Sequence, residues 1–191
     1  MKKLFIGIVG ILVLVVFGCS TTKTIPDTQI PKLSTNETAL KYFERGSTYL
    51  KAGVYEDAVK DFTQAITSDP NFAEAYYRRG FALGRLGKHE EAISDFTKAI
   101  SFNPKNANAY ADRGTAYGSL GNHTQAISDF TQAIQLNPHF ADAYYNLAVG
   151  YFIEKKCAEA RKDLRQAQDL GYLRIRQGFL DELNRDCPEN Q

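Results

Sequence analysis

AEAYYRRGFALGRLGKHEEAISDFTKAISFNPKN, residues 73–106, and ANAYADRGTAYGSLGNHTQAISDFTQAIQLNPHF, residues 107–140, agree at 20 of 34 positions. Two diverged copies of the same pattern flank them, at 39–72 and 141–174. A fixed period of this size marks a stacked array, in which each unit buries its apolar face only against its neighbours. It does not describe a compact enzyme core.

Each unit reads as two helices. In the second copy Ala75, Tyr76, Arg79, Gly80, Leu83 and Leu86 recur at helical spacing until Gly87 breaks the run. A second helix follows from Glu90 to Phe102, with Ala92, Ile93, Phe96, Ala99 and Ile100 on one face. Asn103-Pro104 ends it, because proline lacks an N–H and disfavours helix in the residue before it. Gly80 and Ala92 are small enough for the two helices to approach closely, and Phe96 fills the seam. Tyr76 is expected to pack toward the neighbouring pair.

These residues resemble the tetratricopeptide repeat (TPR) family. The first-helix aromatic is Tyr42, Tyr76, Tyr110 and Tyr144, and the small residue is Gly46, Gly80, Gly114 and Ala148. The second-helix set is Ala58-Phe62-Ala65, Ala92-Phe96-Ala99 and Ala126-Phe130-Ala133, and repeat four is read as Ala158-Leu164-Ala167. Closing prolines are Pro70, Pro104 and Pro138. The leucine usual before the small residue is Arg45, Arg79 and Arg113, returning as Leu147. Repeat four also has Lys155 for the inter-helix glycine and Tyr172 for the proline, as a terminal unit would. The resemblance implies an all-α, right-handed α-solenoid of four helix pairs. A capping helix over 175–187, starting as early as Leu173, closes it. Leu173, Ile175, Phe179, Leu180 and Leu183 would cover the last repeat.

The N-terminus carries a second signal. Lys2-Lys3 precedes an apolar or glycine run of 14 residues, 4–17, and then Gly18-Cys19-Ser20. The run is shorter than the roughly 20 residues of a membrane span and suits a signal-peptide core. It resembles the lipobox of bacterial lipoproteins, although Phe17 is bulky where a small residue is usual. The resemblance implies a signal peptide over 1–18, lipidation of Cys19, and a membrane anchor holding the repeats outside the cytoplasm. Ser20 in place of aspartate implies the outer membrane in enteric bacteria. The alternative, an uncleaved signal anchor, also places the repeats outside. Residues 19–36 read as a tether rich in Ser, Thr and Pro. As a flexible chain it spans on the order of 20–25 Å.

Charge is balanced. Without Lys2 and Lys3 the 23 basic residues become 21, against 22 acidic. Nothing here draws the chain to nucleic acid. Cys157 begins the second helix of repeat four and Cys187 ends the capping helix. Antiparallel packing would bring them together as a disulfide; two free thiols are the alternative.

No nucleotide-binding, zinc-protease or serine-hydrolase motif is present, and no cofactor is called for. His89 and His123 share one repeat slot, about 10 Å apart at helix spacing, too far to share a zinc ion. The recurring Asp61, Asp95, Asp129 and Asp163 read as a solvated stripe, and Arg45, Arg79 and Arg113 as apolar stems with exposed heads.

What remains is a surface. By the family's pattern the first helices line a concave groove that holds partner segments. This points to Phe43, Ser47, Leu50 and Lys51 in repeat one and to Glu74, Tyr77, Phe81 and Arg85 in repeat two. Repeat three offers Asn108 and Thr115; repeat four offers Asp142, Tyr145, Val149 and Phe152. Apolar anchors with a few charges suit an extended or helical peptide. The Lys/Asn set of the carboxylate-clamp subfamily is absent from these slots. The expected role is a non-catalytic scaffold or adaptor in envelope complex assembly. The alternatives are a self-associating structural lipoprotein, a pilotin-like secretin assembly factor, and a peptidoglycan-associated enzyme.

Overall fold

The computed structural model describes residues 35–188. Cys19, the signal segment and the tether up to Ser34 lie outside the described residues. Among the described residues the chain forms helices and no strand: α1 (Thr35–Lys51), α2 (Tyr55–Ser68), α3 (Ala73–Arg85), α4 (His89–Phe102), α5 (Ala107–Ser119), α6 (His123–Leu136), α7 (Ala141–Ile153), α8 (Cys157–Asp169) and α9 (Gln177–Asp186). Each of α1 to α7 packs on the next, and the first helices α1, α3, α5 and α7 also touch in succession. This is the layout of a TPR α-solenoid.

One contact sets the spacing within each pair. A Cβ on Gly46, Gly80 or Gly114 would sit 3.0 Å from the ring of Phe62, Phe96 or Phe130. A methyl group there would push the helices apart, so the glycine–phenylalanine match fixes how closely they approach. Repeat four changes both partners together: Ala148 replaces the glycine, and the smaller Leu164 replaces the phenylalanine. The break between helices uses Gly53, Gly87 and Gly121 at φ of 75–77°, in the left-handed region that glycine enters without Cβ strain. Lys155 takes the same turn at φ 60° in repeat four.

The second-helix slot of repeat four is filled by Ala160, fully buried, and not by Ala158, which is exposed. A strict 34-residue step from Ala126 lands on Ala160. The cap also differs from expectation. Gly171 ends α8 at φ 83°, residues 172–176 run without helix, and α9 starts only at Gln177. Leu173 therefore projects outward at 92% exposure instead of covering the repeat. Tyr172 and Ile175 supply that cover, with Phe179, Leu180 and Leu183.

The carboxylate stripe is not solvated. Asp61, Asp95 and Asp129 are buried, and each receives a two-pronged guanidinium from Arg45, Arg79 or Arg113. Only Arg45 keeps the exposed head expected of all three, at 55% against 21% and 16% for Arg79 and Arg113. The reason is the array itself. Arg79 and Arg113 also donate to Thr63 and Thr97 of the preceding repeat, at 3.1 and 3.0 Å. The preceding second helix thus covers them, and they tie neighbouring units together.

Cys157 and Cys187 are joined by a disulfide, with Cα atoms 5.3 Å apart. Arg161 adds to this joint by donating to the Cys187 carbonyl from Nε at 2.7 Å. Both tie α9 to α8.

Candidate functional site

The first helices do not present a uniform surface. In repeat one Phe43 turns inward, its ring 5.7 Å from Phe62 and 4.8 Å from Phe72. Leu50 joins the same cluster, Ser47 is half-buried, and Lys51 is exposed. In repeat two Glu74 is paired with Arg78 at 2.7 Å, and Arg85 is exposed with its guanidinium over the Tyr55 ring at 5.4 Å. Asn108 and Thr115 of repeat three are exposed.

Repeat four contributes little free surface. Tyr145 is 5% exposed, stacked on Tyr172 at 4.6 Å and met edge-on by Phe179. Phe152 takes Phe179 edge-on at 5.6 Å, and Val149 packs in the same cluster. Asp142 is bonded to Arg174 at 2.9 Å. These side chains were expected to line the groove. Instead α9 and the segment before it cover Tyr145, Val149 and Phe152, because the last pair has no fifth repeat to bury its apolar face.

Repeats two and three keep an opening. A cavity of about 130 Å³ is lined by Phe81, Gly84, Arg85, His89, Phe96, Asp112, Thr115 and Ala116. Gly84 leaves space there, with no heavy atom near the place of a Cβ. Phe81 and Phe96 give it apolar walls, and Arg85, His89, Asp112 and Thr115 are its polar lining. Thr115 holds its hydroxyl on the Ala111 carbonyl at 3.0 Å, leaving oxygen lone pairs for a donor. The His89 ring lines the cavity, while its Nδ1 is sealed from solvent and has no hydrogen-bond partner among the described residues. Asp112 accepts from the Tyr77 hydroxyl at 2.9 Å.

Burial pushes the Asp112 carboxyl up to about 6, and the Tyr77 hydroxyl bond opposes that rise. Tyr77 is raised too, by burial first and then by the Asp112 charge. Near neutrality the site therefore holds a half-buried carboxylate without a full counter-charge. Of the groove residues expected from sequence, Phe81, Arg85 and Thr115 meet here, and Tyr77 borders it through Asp112. Asp112 and His89 were missed as site residues. Asp112 carries one legible signal: it lies 35 positions after Tyr77, one step beyond the repeat period, where successive first helices meet.

The tetratricopeptide repeat family model matches residues 73–106 and 107–140, and a TPR repeat model matches 46–87. No curated protein sequence matches the chain. Among solved structures, MamA is 30% identical over 69% of this chain and 77% of that one, with a TM-score of 0.67. The second TPR domain of human RPAP3, solved with the HSP70 peptide SGPTIEEVD, is 32% identical. It covers 61% of this chain and 97% of that one, with a TM-score of 0.59. The Arabidopsis OM64 TPR domain is 30% identical over 61% and 96% of the two chains, at 0.60. The repeat signature, the helix-pair packing and these likenesses agree: the chain belongs to the tetratricopeptide repeat family.

Proposed function

We propose that this protein is a lipid-anchored adaptor of the bacterial envelope that binds a partner polypeptide across α3–α5. The observation that carries the binding reading is the cavity between repeats two and three. It combines two aromatic walls, the space left by Gly84, the Thr115 hydroxyl and the carboxylate of Asp112. Apolar anchors desolvate a peptide side chain, while a few convergent polar groups fix its register. The partner of RPAP3 is a peptide ending in acidic residues. The cavity here carries both signs, Arg85 and Asp112, and Glu74 is already paired with Arg78. A segment with one apolar side chain between the aromatic walls fits it best.

The anchoring half of the proposal rests on the sequence of residues 2–20 and on Cys19. Replacing Cys19 by serine should abolish incorporation of labelled palmitate and release the protein from the membrane fraction. Retention in the membrane would favour an uncleaved anchor. For the groove, the test is crosslinked capture from native envelopes. The baits are the wild type, a Phe81→Ala/Thr115→Arg variant, and Lys98→Glu on α4 as a control. A partner held by wild type and control but lost with the groove variant supports the proposal. Equal capture by all three contradicts it, and capture of the chain's own copies favours the self-associating alternative.

A further inference from the structure

Three repeats hold an arginine in the same cage. In each, Nε and Nη2 of Arg45, Arg79 or Arg113 bond both carboxylate oxygens of Asp61, Asp95 or Asp129, at 2.6–2.8 Å. Each guanidinium also lies over the first-helix tyrosine, 5.4 Å from Tyr42, 5.7 Å from Tyr76 and 5.6 Å from Tyr110. In the second and third cages a threonine of the preceding repeat accepts from Nη1.

Repeat four keeps the walls and lacks the arginine. A step of 34 residues from Asp129, Tyr110 and Thr97 leads to Asp163, Tyr144 and Thr131, but the step from Arg113 leads to Leu147. Asp163, Tyr144, Thr131 and Leu147 line one open cavity of about 350 Å³. Tyr151, the counterpart of Tyr117, lies there as well, with the Lys156 ammonium over its ring at 5.6 Å. Thr131 donates its hydroxyl to the Ile127 carbonyl at 2.8 Å, as Thr63 does to that of Val59 at 2.7 Å. That leaves the oxygen free to accept.

Asp163 is 9% exposed and has no hydrogen bond or ion pair among the described residues. Burial raises its carboxyl, with the charge of nearby Lys162 opposing and that of Glu159 adding. The Asp163 carboxylate keeps contact with the open cavity, where a donor can reach it. Here the aspartate, tyrosine and threonine repeat those that hold guanidinium in the second and third cages, while Lys162 lines the cavity where those cages have Ser94 and Ser128.

We propose that this cavity, formed by α6, α7 and α8, receives an arginine side chain of a partner polypeptide. The site is separate from the opening at α3–α5 and does not depend on it. Arginine fits better than lysine because a planar fork can bond both carboxylate oxygens while its face lies on a ring; an ammonium cannot do both. A foreign chain fits better than a second copy because nearly all arginines of the described residues are already engaged. Arg165, exposed on α8, is the exception.

The test titrates N-acetyl-arginine N-methylamide, and the lysine analogue, into the isotope-labelled full-length chain. The readout is the NMR signals of Thr131, Tyr144 and Asp163. Saturable shifts are expected, with the lysine analogue roughly tenfold weaker, as for the loss of one charge-assisted hydrogen bond. Leu147→Arg should fill the cage from within, raise Tm and abolish the shifts, while Asp163→Asn should remove them without unfolding the chain. The proposal is overturned if the arginine probe shifts nothing, shifts wild type and Leu147→Arg alike, or if Leu147→Arg lowers Tm. A dimer lost on Arg165→Ala would overturn the assignment to a foreign chain.

Discussion

Replacing Arg79 by leucine imitates what repeat four does naturally with Leu147, and it isolates the tie between neighbouring repeats. The change removes bonds to Asp95 at 2.7 and 2.8 Å and one to Thr63 at 3.1 Å. It leaves the Asp95 side chain, 6% exposed, without a cation. Breaking a fully buried pair costs about 3–5 kcal/mol, and an exposed pair is worth about 0.2–1 kcal/mol. Arg79 lies between these limits with its head 21% exposed, which discounts the loss to about 2–3 kcal/mol. Removing the stranded charge as well, in Arg79→Leu/Asp95→Leu, should recover at least about 1 kcal/mol of that loss. Arg45→Leu should cost less than Arg79→Leu, because the Arg45 head is 55% exposed and has no preceding repeat to bond. Urea unfolding of the four proteins at pH 7 reads all these differences, provided m stays constant. A loss for Arg79→Leu no larger than for Arg45→Leu would refute the reasoning. So would a double variant less stable than the single one.

Other expectations follow from single contacts. Asp112→Asn keeps an acceptor for Tyr77 and removes a carboxyl raised to about 6 from the ordinary aspartate value of 3.8. The native state then binds this proton more tightly, so the contribution of Asp112 to stability is greatest below about pH 4 and is lost as pH rises through 6. The variant should be more stable by up to about 2–3 kcal/mol at pH 8, converging with wild type near pH 4; parallel pH profiles would contradict this. Gly80→Ala places a methyl 3.0 Å from Phe96 and 3.2 Å from the Ala92 carbonyl, and should cost about 1–3 kcal/mol by thermal melt. Gly80→Ala combined with Phe96→Leu, the repeat-four pairing, should recover part of that. Reducing the Cys157–Cys187 bond opens a link across 30 positions, a loss of about 3–4 kcal/mol by chain entropy. Because α9 covers Tyr145 and Phe179, hydrogen exchange should rise first in α9 and α7 and not in α1–α4.

The fold was legible because one period carries it. Glycine at 46, 80 and 114 and phenylalanine at 62, 96 and 130 recur at fixed offsets, and the inter-helix turns of the first three repeats each have a glycine. Periodicity does not reveal what lies between two copies. Asp61, Asp95 and Asp129 looked solvated because a carboxylate on a helix usually is. Their burial depends on arginines 16 positions earlier in sequence, which reach across the helix pair. The groove was legible as a row of slots but not as an opening. Whether a first-helix aromatic faces solvent depends on what covers it, and Tyr145 and Phe152 are covered by the cap. Asp112 gained its place from the junction of α3 with α5, a contact that neither repeat contains alone.

Photocrosslinking in intact cells tests the central claim most directly. A photoreactive residue is placed at Thr115, beside the cavity of α3–α5, or at Lys98 on the outer helix α4. The account predicts a discrete adduct with one partner polypeptide from position 115, lost when Phe81 is replaced by alanine, and none from position 98. Adducts from position 98 alone, or the same adducts from both positions, would contradict it.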